Sequence, residues 1–254
     1  MKTSQYPKLK LEKIYLYTVL LDKQQGQPIL QDISFEIFKG EKVAIVGCPG
    51  AGKTLLLRLI NRLSTPSKGR IFWDGQEYNM VPVIKLRQQI VLMPQESKLL
   101  GMTVQQALNY PLILRNLPPQ VIAQRISKWR EKLQISDKWL KLTEAELSSG
   151  QRQLIAIARV LVIEPQILLL DEPTSALNFT TANLVLRVLG YLSQNYQTTI
   201  VMVNHRLDLV ERFCDRLLHL HEGCLILNRT KTMVNWQTLH QTIQHVAYKD
   251  DFDF

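Results

Sequence analysis

The 254-residue sequence predicts an α/β fold built on a parallel sheet with inserted helices, and three observations predict it. A continuous apolar run at 42–47 (KVAIVG) reads as a buried strand, and Leu55, Leu56, Leu59, Ile60 and Leu63 follow it at helical spacing. Apolar runs return at 167–171 (ILLLD) and 199–203 (TIVMV) with a helical pattern at 181–192 between them, the layout of a parallel crossover. From 103 to 160 the pattern is helical, so the sheet is interrupted by an insertion.

Each element has a local reason. KLKLEKIYLY at 8–17 is β-rich and DISFEIF at 32–38 alternates apolar and polar residues, so two strands precede the buried one. Thr103 with Gln106 three residues on forms a capping-box pattern, and Pro119 suits the first turn of a helix ending near Leu133. Leu147-Ser-Ser-Gly-Gln151 stands just before Leu154, Ile155, Ile157, Ala158 and Leu161 and so opens another helix. After Asn228 the mixed apolar pattern fits a helix packed on the core or an appendage, and 248–254 reads as an acidic tail.

Composition bounds the function. Hydrophobic residues make up 46% and charged residues 21%, which excludes disorder, collagen and coiled coil as readings. Cys48, Cys214 and Cys224 are too scattered for a disulfide framework, and no CxxC pair suggests zinc. The opening MKTSQYPKLKLEK lacks the apolar stretch of a secretory signal, and no run approaches the roughly 18 apolar residues that span a bilayer. A role at a membrane would therefore need another chain to cross it. The net charge of +9 permits nucleic acid, anionic lipid or nucleotide phosphates as partners, and basic residues such as Arg58, Arg87, Arg125 and Lys128 are dispersed rather than gathered in a stripe.

Motifs choose among these. Gly47-Cys48-Pro49-Gly50-Ala51-Gly52-Lys53-Thr54 matches GxxxxGK[ST], with a strand before it and a helix after. Gly50 and Gly52 let backbone N–H groups converge on phosphate oxygens, the helix adds its positive end, Lys53 reaches the β- and γ-phosphates, and the Thr54 hydroxyl meets Mg²⁺. The run at 167–172 delivers Asp171 and Glu172 at a strand's C-terminal end, where open α/β sheets bind ligands. Asp171 suits the Mg²⁺ shell and Glu172 the polarising of an attacking water. Ser148 and Gly150 lie at a helix N-terminus, a second anion site.

With these motifs in this order the chain resembles the nucleotide-binding subunit of a bacterial ATP-binding cassette (ABC) transporter, over about 9–227. The resemblance implies a P-loop NTPase (RecA-like) core with a parallel sheet, an N-terminal antiparallel β subdomain and an inserted helical subdomain. The implied ABC ATPase domain is 9–247, with 1–94 and 161–247 as core, 95–160 as helical subdomain and 248–254 as tail. In that comparison 47–54 is Walker A, Gln95 the Q-loop glutamine, 147–151 the signature, 167–172 Walker B, 175–178 the D-loop and His205 the switch histidine. The resemblance further implies ATP and Mg²⁺ as cofactors, Thr54, Gln95 and Asp171 at the metal, and Glu172, His205 and Gln95 in catalysis. Ser148, Gly150 and Gln151 would contact ATP held by a second cassette, in a homodimer or mixed pair.

The same resemblance implies an integral permease partner, no nucleic acid, and a peripheral position on the cytoplasmic face of the inner membrane. Leu99, Leu100, Met102 and Tyr110 are candidates for the permease contact. The cargo expectation is iron or other metal export, or more loosely phosphate-like import. A soluble ABC ATPase acting on nucleic acid or ribosomes is the alternative, opposed by the short spacing between Thr54 and Leu147, which leaves no room for a long coiled coil. Three positions depart from the family pattern: Ser149 replaces a glycine, Asn178 replaces an aspartate, and the adenine-stacking aromatic stays open between Tyr15 and Tyr17.

Overall fold

The structure is a computed structural model that describes residues 6–19, 25–96, 98–99 and 101–250, with the backbone alone described at 19, 25 and 244–250. In chain order it runs β1 (Leu9–Val19), β2 (Gln25–Ile37), β3 (Lys42–Val46), α1 (Lys53–Ile60), β4 (Lys68–Trp73), β5 (Gln76–Glu77), α2 (Val83–Gln89), β6 (Ile90–Met93), α3 (Val104–Ile113), α4 (Pro119–Lys132) and α5 (Ser149–Leu161). It continues with β7 (Ile167–Asp171), α6 (Phe179–Tyr196), β8 (Thr199–Val203), α7 (Leu207–Phe213), β9 (Arg216–His221), β10 (Cys224–Thr230) and α8 (Trp236–Asp250).

The strands form one curled sheet in the order β5-β4-β1-β2-β10-β9-β3-β8-β7-β6. From β9 to β6 the pairing is parallel, and β1 pairs antiparallel with β2 and β4. The two parts meet where β10 touches β2 at Cys224 and Gln31. Parallel strands covered on both faces need apolar residues at every interior position, which is why 43–46, 167–170 and 200–203 read as unbroken runs. Alternate residues serve opposite layers. Ile167, Leu169, Val201 and Val203 pack with α1 and the antiparallel strands, whereas Leu168, Leu170, Ile200 and Met202 pack with α3 to α6.

Local signals hold at the helix starts. Thr103 Oγ1 accepts from Gln106 N while Gln106 Oε1 accepts from Thr103 N, and α4 begins at Pro119. The expected strand at 32–38 starts earlier, at Gln25. Gly26 and Pro28 look like a turn, but the pairing around Tyr17 and Pro28 is irregular and so tolerates a residue without N–H. The expected helix at 181–192 is longer, because Asn178 caps it and Gln197, at φ 54°, ends it. After Asn228 the choice between packed helix and appendage resolves locally: Leu239, Trp236 and Ile243 of α8 join Leu207, Val210 and Leu217 in a small core. Within the expected acidic tail, 248–250 continue α8 and 251–254 lie outside the described residues, as does Leu100.

Candidate functional site

The loop between β3 and α1 takes its shape from its glycines. Gly47, Gly50 and Gly52 have φ 147°, 76° and 90°. A Cβ on Gly47 would fall 2.0 Å from the Leu220 carbonyl oxygen, and one on Gly52 would fall 2.6 Å from Leu30 Cδ2. A Cβ on Gly50 would meet nothing within 4 Å, so that position faces open space. No side chain caps α1, which leaves its N-terminal N–H groups directed at that space.

Lys53 folds back over the loop. Its Nζ donates to the carbonyl oxygens of Gly47 at 2.8 Å and Cys48 at 2.6 Å. Burial pulls its pKa below the ordinary lysine value, opposed by the charges of Glu172, Cys48 and Asp171. The ammonium is thus held beside two acidic groups at the end of β7.

Asp171 is almost fully buried, and burial raises its carboxyl pKa against a hydrogen bond from Thr54, while the Glu172 charge adds to the rise. Asp171 Oδ1 has no hydrogen-bond partner. An orphaned carboxylate oxygen beside a threonine hydroxyl fits a hard divalent cation, which takes oxygen ligands. Among the described residues no group of three or more His, Cys, Asp and Glu could hold a metal unaided. A Mg²⁺ site completed by phosphate oxygens and water needs no such group.

Glu172 stands at φ 49°, a left-handed conformation that costs a non-glycine residue about 1–3 kcal/mol. Neighbours hold it there. Its N–H donates to Val203 O at 3.0 Å, and its carbonyl accepts from Gln153 Nε2 at 2.8 Å and Ser175 Oγ at 3.2 Å. Its carboxylate oxygen Oε1 lies 2.8 Å from His205 Nε2. The turn before His205 is held by Asn204, whose amide donates to Thr174 Oγ1 at 2.8 Å and whose Oδ1 accepts from Arg206 N at 2.9 Å.

These residues surround one cavity of about 510 Å³, lined by Pro49, Gly50, Gly52, Lys53, Thr54, Leu55, Gln95, Glu172 and His205. Gly47, Cys48 and Ala51 shape the loop without lining it, and Asp171 connects to it through Thr54. Ser148, Gly150 and Gln151 are elsewhere. With Ser149, Trp139, Asn178 and Thr181 they line a separate cavity of about 390 Å³. Ser148 Oγ accepts from Gln151 N and Gln151 Oε1 accepts from Ser148 N, so the tip of α5 is a closed capping box. Gln95 and Ser149 both face a third cavity, of about 300 Å³, shared with Gln153 and Ser175.

Two of the three departures have visible consequences. Asn178 Oδ1 accepts from Thr181 N at 2.9 Å, so it caps α6 as an aspartate would, without the charge. Tyr15 and Tyr17 stack on each other at 6.3 Å and neither lines the phosphate-loop cavity. Sequence reasoning passed over Gln153, Asn204 and Thr174, all buried and polar. Gln153 carried a signal: with Ile157 and Val160 it falls on the apolar stripe of its helix, where a polar side chain needs partners.

Comparison with known proteins supplies the remaining observations. The family model described as ABC transporter matches residues 30–175. The methionine import ATP-binding protein MetN 1 of Pseudomonas syringae pv. syringae is 35% identical over 229 residues, covering 88% of this chain and 68% of that protein. MetN of Caulobacter vibrioides is 37% identical over 207 residues, covering 80% and 62%. Among solved structures, the dimeric MJ0796, a bacterial ABC transporter cassette, superposes with a TM-score of 0.80 at 25% identity, covering 88% of this chain and 98% of that one. CbiO1 of Clostridium perfringens, part of the ABC transporter complex cbiONQ, gives 0.78 at 27% identity, covering 97% and 99%.

Proposed function

The chain belongs to the ABC transporter family as an ATP-binding subunit with ABC-type ATPase activity, and from that premise we propose how two of its cavities divide the work. ATP occupies the 510 Å³ cavity, its phosphates on the loop N–H groups and Lys53. Thr54 and Asp171, with Gln95 nearby, would hold Mg²⁺, whose chemistry when bound is to neutralise charge on the β- and γ-phosphates. Glu172 takes the proton of the attacking water, and His205 holds the carboxylate and faces the γ-phosphate.

One observation carries this reading: the signature residues and the phosphate loop of one chain line different cavities. A single copy offers each ATP half a site. Two copies, placed head to tail, bring Ser148, Gly150 and Gln151 of one against the phosphates of the other, with 95–160 as the moving arm. Closure on ATP and opening after hydrolysis then drive a permease through differential affinity for the two states.

Among the described residues no helix is long and apolar enough to cross a membrane. Membership in the ABC transporter family supports the proposed place, peripheral on the cytoplasmic face of the inner membrane beneath a separate permease. The expected cargoes, metal export or phosphate-like import, have no counterpart in the names of the relatives above. The two MetN relatives are named for methionine import, which makes methionine the first cargo to test. The test is ATP turnover per chain against chain concentration. Head-to-tail assembly predicts a rate that rises with concentration and then saturates, and a rate independent of concentration in a monomeric sample would sink the proposal. Affinity capture from membranes should then bring down an integral partner.

A further inference from the structure

We propose that Gln153 is a positioning residue that aims the Glu172 carboxylate and ties it to the tip of α5; this rests on the reading of Glu172 as the base. Gln153 is 7% exposed and uses both ends of its amide. Nε2 donates to Glu172 O at 2.8 Å and Ser175 Oγ at 3.1 Å, and Oε1 accepts from Ala176 N at 2.6 Å.

The consequence follows from the backbone of Glu172. At φ 49° it stays in the left-handed region only while its surroundings hold both flanking peptides. Val203 O holds the N–H side, and Gln153 with Ser175 holds the carbonyl side. Three donors hold that carbonyl, Gln153 Nε2 at 2.8 Å, Ser175 Oγ at 3.2 Å and Ser175 N at 3.3 Å; without the shortest of them the left-handed backbone is held less firmly, the Cα–Cβ direction turns, and the carboxylate loosens from its 2.8 Å contact with His205.

Gln153 also sits one turn after Gly150 on the same helix, and a Cβ on Gly150 would stand 3.2 Å from Ala176 O. The tip of α5 and the segment after Glu172 are therefore in near contact at two points. A displacement of that tip when it meets a second cassette's nucleotide passes to the segment after Glu172 through these two contacts, and Gln153 is the one bonded to the base residue itself.

The experiment compares Gln153→Leu, Gln153→Glu and Glu172→Gln with the wild-type chain. Gln153→Leu keeps the volume and loses the bonds; it should lower kcat by about ten- to a hundredfold while the Kd for ATP stays within about twofold. In Gln153→Glu the neutral acid can donate to Glu172 O as the amide does and the carboxylate cannot. Its turnover relative to wild type should climb from about pH 8 to about pH 6, against a background of Glu96, Lys98, Glu144 and Arg152 in the same cavity. A wild-type kcat in a folded Gln153→Leu chain overturns the proposal. So does a flat relative pH profile, or a loss of ATP affinity that matches the loss of kcat, since a purely structural role predicts both. Full turnover in Glu172→Gln would instead remove the base assignment on which the proposal rests.

Discussion

His205 Nε2 lies 2.8 Å from Glu172 Oε1, a distance at which the ring N–H donates to the carboxylate. The two residues are 33 apart in sequence, and sheet register brings them together: β7 and β8 pair in parallel with Asp171 opposite Val203, so both side chains leave the sheet at the same edge. That edge is the C-terminal one, where the phosphate loop also emerges from β3. Removing the imidazole by His205→Ala should cut phosphate release by about a hundredfold, with ATP affinity within about threefold of wild type, as read by turnover and equilibrium titration.

Glu172→Gln keeps the shape of the side chain and removes its basicity. ATP-dependent dimerisation, followed by light scattering, should persist or lengthen in this variant, while phosphate release falls by roughly 10²–10⁴-fold. Wild-type turnover would take Glu172 out of the base role.

Two glycines in one loop should behave differently. Gly47→Ala places a methyl 2.0 Å from a backbone carbonyl and should leave little folded protein, as measured by urea denaturation. Gly50→Ala meets no atom within 4 Å, so it should fold with a backbone penalty of about 1–2 kcal/mol. Its methyl projects into the phosphate space, so nucleotide affinity should drop by more than stability does.

Asp171, the proposed metal ligand, carries a pH dependence of its own. Burial raises its pKa, so its contribution to stability in the cation-free chain is present at low pH and lost as pH rises through the raised value. At neutral pH Asp171→Asn should therefore melt at or above the wild-type temperature without nucleotide. The upward shift that Mg²⁺ and ATP give the wild type should be lost, because the variant lacks the carboxylate. Thermal melting with and without Mg²⁺-ATP reads both effects.

Cys214 is buried in the small core under α8, and burial pushes its thiol up to about 11. The thiolate fraction of the folded chain at pH 8 is therefore far below that of the unfolded chain. At pH 8 iodoacetamide should label Cys214 in the native chain at least about a hundredfold more slowly than in the urea-unfolded chain, read by peptide mass spectrometry. Comparable rates would contradict the packing of α8.

Much of this site was legible because its chemistry is local. GxxxxGK[ST] needs only adjacent residues to turn N–H groups inward, and apolar runs buried on both faces announce parallel strands. Asp171 and Glu172 were legible for the same reason, as acids at the end of such a run. The early start of β2 was not, since Gly26 and Pro28 mimic a turn until the irregular pairing with β1 is known. Gln153 looked like one more polar residue on a helix, and its three bonds join it to residues 19 to 23 positions away.

The sequence by itself determined which residue types are offered to the proposed phosphates and metal, because glycine torsions, a lysine and a strand-end carboxylate act through neighbours along the chain. Only the tertiary structure decided that Glu172 is held at a positive φ by Gln153 and Val203, that His205 reaches it, and that the signature tip opens into another cavity. Those relations depend on strand register and on helix packing across the sheet, which arise from the burial of alternate side chains on opposite faces rather than from any short stretch of sequence.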